Sequence, residues 1–326
     1  MKRLKHILIV LFVWFISTNE AQAQIDTTFW FAAAWVTPDH ADNYPMEFHI
    51  STFNNPTVVR LRQPASTYDT TFTVPANSLF SKEVTHILSQ VESKPADDNS
   101  LTTGFQITSD FPIVVVYDFL SSANNPETYS LKGQNGLGLE FVTPFQTRWD
   151  NKILSNDRSG DGVITQPKQM FCVVATEPNT TIHITPRCLT MGGHPANVTY
   201  SVTLPFAGSV YTCENFVQNT SSTPGNTLAG SVVVSDKKIA VTVSDDSVNP
   251  TGPGGGCYDM LGDQLVPTDV IGKEYIINKG DLNAGSDESG FITATENFTT
   301  ISIEDVNGVT TAILNQGDTY QYSITE

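Results

Sequence analysis

The chain has 326 residues, with 17 Lys plus Arg against 34 Asp plus Glu, a formal net charge of −17. Such a field repels phosphate backbones and argues against a nucleic-acid partner. Only 16% of residues are charged, while 39% are hydrophobic and 10% aromatic, enough for a core and against global disorder.

The first element in chain order is an address. Lys2, Arg3 and Lys5 precede an apolar run from Ile7 to Ile16, and Ala21-Gln22-Ala23 places small residues before Gln24. This three-part pattern predicts a signal peptide over 1–23 and an extracellular or cell-surface protein. The run is about half the ~20 residues that span a bilayer, and no later segment is long and apolar enough, so no membrane span is expected after cleavage. Export makes Cys172, Cys188, Cys213 and Cys257 disulfide candidates. Their pairing is open; Cys188 with Cys213 is favoured because the two flank a strand candidate at 198–204. No CxxC occurs, which argues against a cysteine zinc site.

Strand candidates follow at 28–33, 47–53, 57–62 and 70–74, each rich in β-branched or aromatic residues. Phe29, Trp30, Phe31 and Trp35 are expected in the core of the first sheet. Only Leu79–Val91 has a helical pattern. Further on, the pattern repeats. Ala175-Thr-Glu-Pro-Asn-Thr-Thr-Ile-His-Ile184 and Ala294-Thr-Glu-Asn-Phe-Thr-Thr-Ile-Ser-Ile303 are identical at seven of ten positions, with a looser copy at Ser51–Arg60. A second motif, Gly–apolar strand–Ser-Asp–x-x-Ile–apolar strand, occurs at Gly104–Ile113 and Gly230–Ile239. Both motifs read as hairpins. Their markers Thr52, Ser109, Thr176, Ser235 and Thr295 are 57, 67, 59 and 60 residues apart. Gly138-Leu-Glu-Phe-Val-Thr143 and Gly272-Lys-Glu-Tyr-Ile-Ile277 open the second and third copies.

The expected fold is all-β: a propeller-like array of antiparallel units of about 60 residues, with tandem β-sandwich modules as the alternative. Its parts are module 1 (24–137), module 2 (138–271, holding all four Cys) and a truncated module 3 (272–326). The third copy shows no second motif, so a longer chain or a partner is expected to complete it.

Cys257-Tyr-Asp-Met-Leu-Gly-Asp-Gln-Leu-Val-Pro267, followed by Gly272-Lys-Glu-Tyr275, resembles a signature of the IgGFc-binding protein N-terminal domain family. The Ala-Thr-Glu-x-x-Thr-Thr-Ile-x-Ile and Ser-Asp-x-x-Ile segments are similar to it as well, and the likeness covers nearly all of 26–326. The chain departs from the pattern in having a single Cys near Asp-Gln-Leu. The resemblance implies an extracellular interaction module of the large secreted bacterial kind, not an enzyme.

Carboxylates recur in one slot of each copy: Asp39-His40-Ala-Asp42, Asp157–Gly162, and Asp281 through Glu288. Asp157, Ser159 and Asp161, followed by Gly162, match the first half of a calcium loop, in which oxygen ligands alternate and Gly allows the sharp turn. The twelfth position is Lys168, where a bidentate Glu is expected, so a solvated loop is the competing reading. No other metal or cofactor is indicated. His183 and His49 alternate with Ile and should face solvent. Asp97-Asp98 and Asp245-Asp246 read as solvated pairs. No G-x-S-x-G or H-E-x-x-H occurs. The expected function is a non-catalytic adhesion module for an extracellular protein or glycan. An extracellular hydrolase working through loop carboxylates and a structural spacer are the alternatives.

Overall fold

A computed structural model describes residues 24–40, 44–95, 98–120, 125–218, 225–250, 258–280 and 288–324. The expected signal peptide, Asp42, Asp97, Cys257 and residues 281–287 lie outside these. Nearly all of the regular secondary structure is strand, as expected from the Val, Ile and Thr content.

The first sheet is built from β1 (Asp26–Phe31), β3 (Met46–Thr52), β4 (Thr57–Arg62), β5 (Asp69–Val74), β6 (Leu79–Glu83), β8 (Phe105–Phe119) and β9 (Glu127–Ser130). Two short strands, β2 (Ala33–Ala34) and β7 (Glu92–Ser93), pair with each other. The second sheet holds β10 (Gly138–Val142), β11 (Asp150–Asn151), β12 (Gln169–Ala175), β13 (Thr180–Thr185), β14 (Tyr200–Leu204), β15 (Val210–Glu214), β16 (Val232–Asn249) and β17 (Asp259–Gln264). The strand orders correspond: β5-β4-β8-β3-β6 in the first and β14-β13-β16-β12-β15 in the second. In both, a leading strand (β1 or β10) and a trailing strand (β9 or β17) pair with the long central one.

The two predicted hairpin types prove to be something else. The Ser-Asp segments are not turns, because β8 and β16 run unbroken through them. The long strand bends there and changes partners: β8 pairs with β4 as far as Ser109 and with β3 from Ile113. Side-chain bonds hold the bend. Asp110 Oδ1 accepts from the Val58 N–H (2.8 Å) and Ser109 Oγ donates to the Phe111 carbonyl (2.8 Å). Asp236 Oδ1 and Ser235 Oγ repeat both bonds with Thr181 N–H (2.8 Å) and the Lys237 carbonyl (2.6 Å). Likewise β3 and β4 flank β8 instead of pairing with each other, as β12 and β13 flank β16. Each sheet therefore curls about its long strand. The stretch read as helical divides in two: Leu79–Glu83 is β6, and the remainder is helical, a 3-10 turn at Thr85–Ile87 running into one α-helical turn at Leu88–Val91.

Apolar residues alternate inward along the strands. Phe29, Phe31, Phe48, Ile50, Phe105 and Tyr117 fill the first core; Phe141, Phe171, Ile182, Ile184 and Val241 fill the second. His183 is exposed between two buried isoleucines, as the alternation predicted; Phe29 and Phe31 lie in the first core, whereas Trp30 is buried between the sheets and Trp35 is only partly buried. A third cluster, including Trp30, Met170, Cys172 and Val174, joins the two sheets. Cys172, Cys188 and Cys213 are buried free thiols; Cys188 and Cys213 share the second core.

The third copy has two ribbons, β18 (Glu288–Thr293) with β21 (Thr319–Ile324), and β19 (Thr299–Asp305) with β20 (Gly308–Leu314). One contact recurs between successive copies. Gly104 N–H donates to the Gly208 carbonyl (3.1 Å), and a Cβ on Gly104 would lie 2.6 Å from that oxygen. At the next junction, a Cβ on Gly230 would lie 1.9 Å from the Gly317 carbonyl oxygen. Gly208, Gly230 and Gly317 also have φ near +80°, so both closeness and backbone geometry require glycine.

Candidate functional site

The carboxylate slots of the first two copies meet at one place. Asp39, in the turn after β2, is 5% exposed and reaches into the loop between β11 and β12. Its Oδ1 accepts from the backbone N–H groups of Arg158 (2.8 Å) and Ser159 (2.9 Å), and its Oδ2 from Thr165 (2.6 Å). Burial pushes this carboxyl's pKa up, but the donors from Ser159, Thr165 and Arg158 together hold it below the usual range. Asp39 thus staples the loop of one copy to the other.

Within the loop, Asp157 Oδ1 accepts from Ser159 Oγ (3.1 Å) and Gly160 N–H (2.6 Å), and its Oδ2 from Gly162 N–H (2.7 Å). Asp161 Oδ1 accepts from Val163 N–H (2.9 Å). The Gly162 N–H is the main reason the Asp157 carboxyl is held low. Of the three predicted oxygen ligands, Asp157 and Ser159 are in contact, and Asp157 and Asp161 are each bonded to the loop's own N–H groups.

Beside this loop lies an open cleft of about 440 Å³, lined by Asp39, His40, Lys152, Arg158 and Tyr258 among others. The His40 ring packs on the Tyr258 ring at 4.3 Å between centroids, and Lys152 Nζ sits 4.9 Å from the Tyr258 centroid. Arg158 Nη1 reaches the His40 carbonyl at 3.4 Å. Burial, then the charges of Arg158 and Lys152, drive the His40 pKa down to about 4, so the ring is neutral at pH 7. Its Nδ1 lies 2.7 Å from Ser247 Oγ.

Below the cleft, Asp245 and Asp246 correct the solvated-pair expectation: they are 2% and 3% exposed. From Ile239 onward β16 is covered on both faces, so alternation no longer carries side chains to water. Asp245 is satisfied by the side-chain amides of Gln146 (2.8 Å), Gln169 (2.9 Å) and Asn151 (2.7 Å). Burial raises its pKa to about 6. Asp246 accepts from the Thr37 N–H (2.9 Å), Asn125 Nδ2 (3.0 Å) and Ser247 Oγ (2.8 Å). Ser247, at φ +52° beside an irregular stretch of the β16–β17 ladder, is fully buried. Ser247, His40 and Asp246 are in contact, but the carboxylate touches the serine and the hydroxyl faces the core. The group orients the His40 ring; it does not present a nucleophile to the cleft.

The cleft thus gathers two cations, Lys152 and Arg158, beside two rings packed at a tilt, in a strongly acidic chain. Sequence reasoning found Asp39, His40, Asp157, Ser159 and Asp161 but missed Lys152 and Tyr258. The usable signal was the scarcity of cations, which makes Lys152 and Arg158 near one acidic slot conspicuous.

The Asp-Gln-Leu motif lies at the junction of the sheets. Gln264 accepts from Lys132 N–H (2.7 Å) and donates to the Trp30 carbonyl (2.6 Å), while Asp263 pairs with Lys132 Nζ (2.9 Å). Among the described residues no helix is long and apolar enough to cross a membrane. No curated protein and no solved structure matches the chain. The family described as IgGFc binding protein matches residues 128–326, more than half of the sequence. The chain belongs to the IgGFc-binding protein family.

Proposed function

We propose that this protein is a secreted, non-catalytic binding module that contributes to adhesion through the loops at the junction of its first two copies. Family membership is the observation that carries this reading. Loops presented on a rigid β scaffold suit recognition, and the Lys152–Arg158–Tyr258 cleft supplies the contact chemistry: an exposed carboxylate or other anionic group on an extracellular protein or glycan. The test is a panel of extracellular proteins, immunoglobulin Fc among them, together with a glycan array and a turnover screen, all on the secreted form. Binding without turnover that weakens at least tenfold in Lys152→Ala/Arg158→Ala supports the proposal. Turnover favours the hydrolase reading, and neither result favours a spacer.

Calcium at Asp157, Ser159 and Asp161 is the second reading, and Lys168 at the twelfth position sets a solvated loop against it. Calorimetry and melting in calcium chloride test it; no shift at millimolar calcium ends that reading. We infer that Cys188 and Cys213, which share the second core as free thiols, pair on export; mass mapping under non-reducing conditions tests this, and two free thiols end that reading.

A further inference from the structure

On the outer face of the first sheet, β3 sends Met46, Phe48 and Ile50 into the core and Glu47 and His49 outward. The ladder places Glu47 directly opposite Glu83 of β6 on one side and Asp118 of β8 on the other. Three carboxylates thus stand in one cross-strand row, an arrangement that repels itself unless a positive charge sits among them. His49, two residues along β3, leans toward this row. Its Nε2 lies 3.0 Å from Asp118 Oδ2 and 3.8 Å from Glu47 Oε2. Its Nδ1 is 2.8 Å from Ser81 Oγ, which anchors the ring from behind. The second oxygen of Asp118, Oδ1, is buried and has no hydrogen-bond partner.

We propose that Glu47, His49 and Asp118 form a binding site for a divalent transition-metal ion of the zinc type. One donor atom from each residue lies within 4.8 Å of the others. A tetrahedral zinc ion with bonds of about 2.0–2.2 Å holds its ligands roughly 3.3–3.5 Å apart, and the 3.0 and 3.8 Å separations bracket that edge. One imidazole and two carboxylates, without thiolate, suit zinc or manganese and are too few oxygens for calcium. Ser81 takes the outer role common at metal-bound histidines: with Nδ1–H donating to its hydroxyl, the Nε2 lone pair is directed at the carboxylates. The side chains of His49, Glu47 and Asp118 remain 23%, 22% and 15% exposed, so water or a partner's donor can complete the coordination. The ion would neutralise the row and engage the carboxylate whose second oxygen is otherwise unpartnered. This site is independent of the cleft, and its failure would leave the binding proposal standing.

The competing reading is a plain ion pair between protonated His49 and Asp118. Titration of the purified full chain with zinc chloride, by calorimetry and by melting, separates the two. The expected result is one zinc per chain bound at micromolar or tighter affinity, a rise in melting temperature, and movement of the His49 imidazole nitrogen resonances on zinc addition. Asp118→Asn and Glu47→Gln, both close in shape to the native residues, should each weaken zinc binding at least tenfold. Absence of a zinc-dependent shift in the native chain overturns the proposal. So does unchanged affinity in either folded variant, or zinc binding that leaves the His49 resonances in place.

Discussion

Asp39 is a single side chain that carries three loop contacts, so its removal gives a clean reading of how the cleft is held. Asp39→Ala leaves the N–H groups of Arg158, Ser159 and Thr165 without their acceptor. A hydrogen bond to a charged group contributes about 1.5–3 kcal/mol. The loop carries exposed residues, and water recovers part of that, which puts the cost of the substitution at roughly 2–4 kcal/mol, felt as local opening more than global unfolding. Hydrogen exchange reads this directly: amides 158, 159 and 165 should exchange about 30-fold faster or more, while those of β12 and β16 stay protected. Asp39→Asn keeps one acceptor oxygen and should fall between. The Asp39 pKa is depressed in the fold, so the staple is intact above its unfolded value near 3.8 and is lost as pH falls through the folded value. The same amides should therefore lose protection in strong acid in the native chain and show no such step in Asp39→Ala. Native exchange rates in Asp39→Ala would refute the staple.

Other outcomes follow from the same structure. Asp110→Ala and Asp236→Ala each remove the bond that fixes a long-strand bend and should cost about 1–2 kcal/mol in urea denaturation; losses within error at both positions would show that the bend holds itself. Ile182→Ala should cost roughly 2–5 kcal/mol through a core cavity, whereas His183→Ala should cost well under 1 kcal/mol, and equal losses would contradict the register. Glu127 is pushed up to about 7 by burial, against the N–H bonds from Thr128 and Gly262. Its folded pKa exceeds the unfolded value of about 4.5, so its contribution is most favourable when protonated and declines as pH rises from there through 7. Glu127→Gln should flatten that part of the stability–pH curve, by up to about 3 kcal/mol across the window, and an unchanged slope would count against the shift.

Much of the fold was legible because period-two alternation of β-branched and aromatic residues is a local property. The strands read at 47–53, 57–62 and 70–74 lie within one residue of β3, β4 and β5, and His183 falls on the face its neighbours dictate. The bends were misread because Ser and Asp serve a turn and a bend lock by the same chemistry: each bonds nearby backbone. Only the partner N–H, on Val58 or Thr181, distinguishes the two, and it lies more than fifty residues away. Asp245 and Asp246 were misread for a related reason, since their burial depends on what covers β16 and not on β16 itself. The cleft was the least legible part. Asp39, Lys152, Ser247 and Tyr258 come from four separate segments, brought together by the junction of two sheets. The recurrence of acidic slots in successive copies was the one sequence-level trace of that meeting.

The third copy shows what the long strand does for the other two. β1 and β10 pair within their sheets only with β8 and β16, and β3/β4 and β12/β13 are joined only through them. Among the described residues, no long strand runs between the ribbons β18–β21 and β19–β20. The segment corresponding to β1 and β10, 272–277, accordingly forms no strand, and Tyr275, Ile276 and Ile277 are 68%, 88% and 56% exposed. Ile301 and Ile303 are only half-buried, where their counterparts Ile182 and Ile184 are fully buried. Two-stranded ribbons are marginal in water, and their protection depends on what they pack against. Native-state hydrogen exchange on this chain should therefore be graded: slowest in β8, β12 and β16, and faster in β18 through β21 by a factor of about 10³ or more, corresponding to a local stability lower by ~4 kcal/mol or more. β13 and β19 make the sharpest comparison, because they share the Thr-Glu-x-x-Thr-Thr-Ile motif and the same back-bond from a Thr hydroxyl to the Glu carbonyl (2.8 Å in both). They differ in that, among the described residues, β13 has a neighbour on each edge and β19 on one. Equal protection in β13 and β19 would mean that the local motif, and not the long strand, stabilises the repeat.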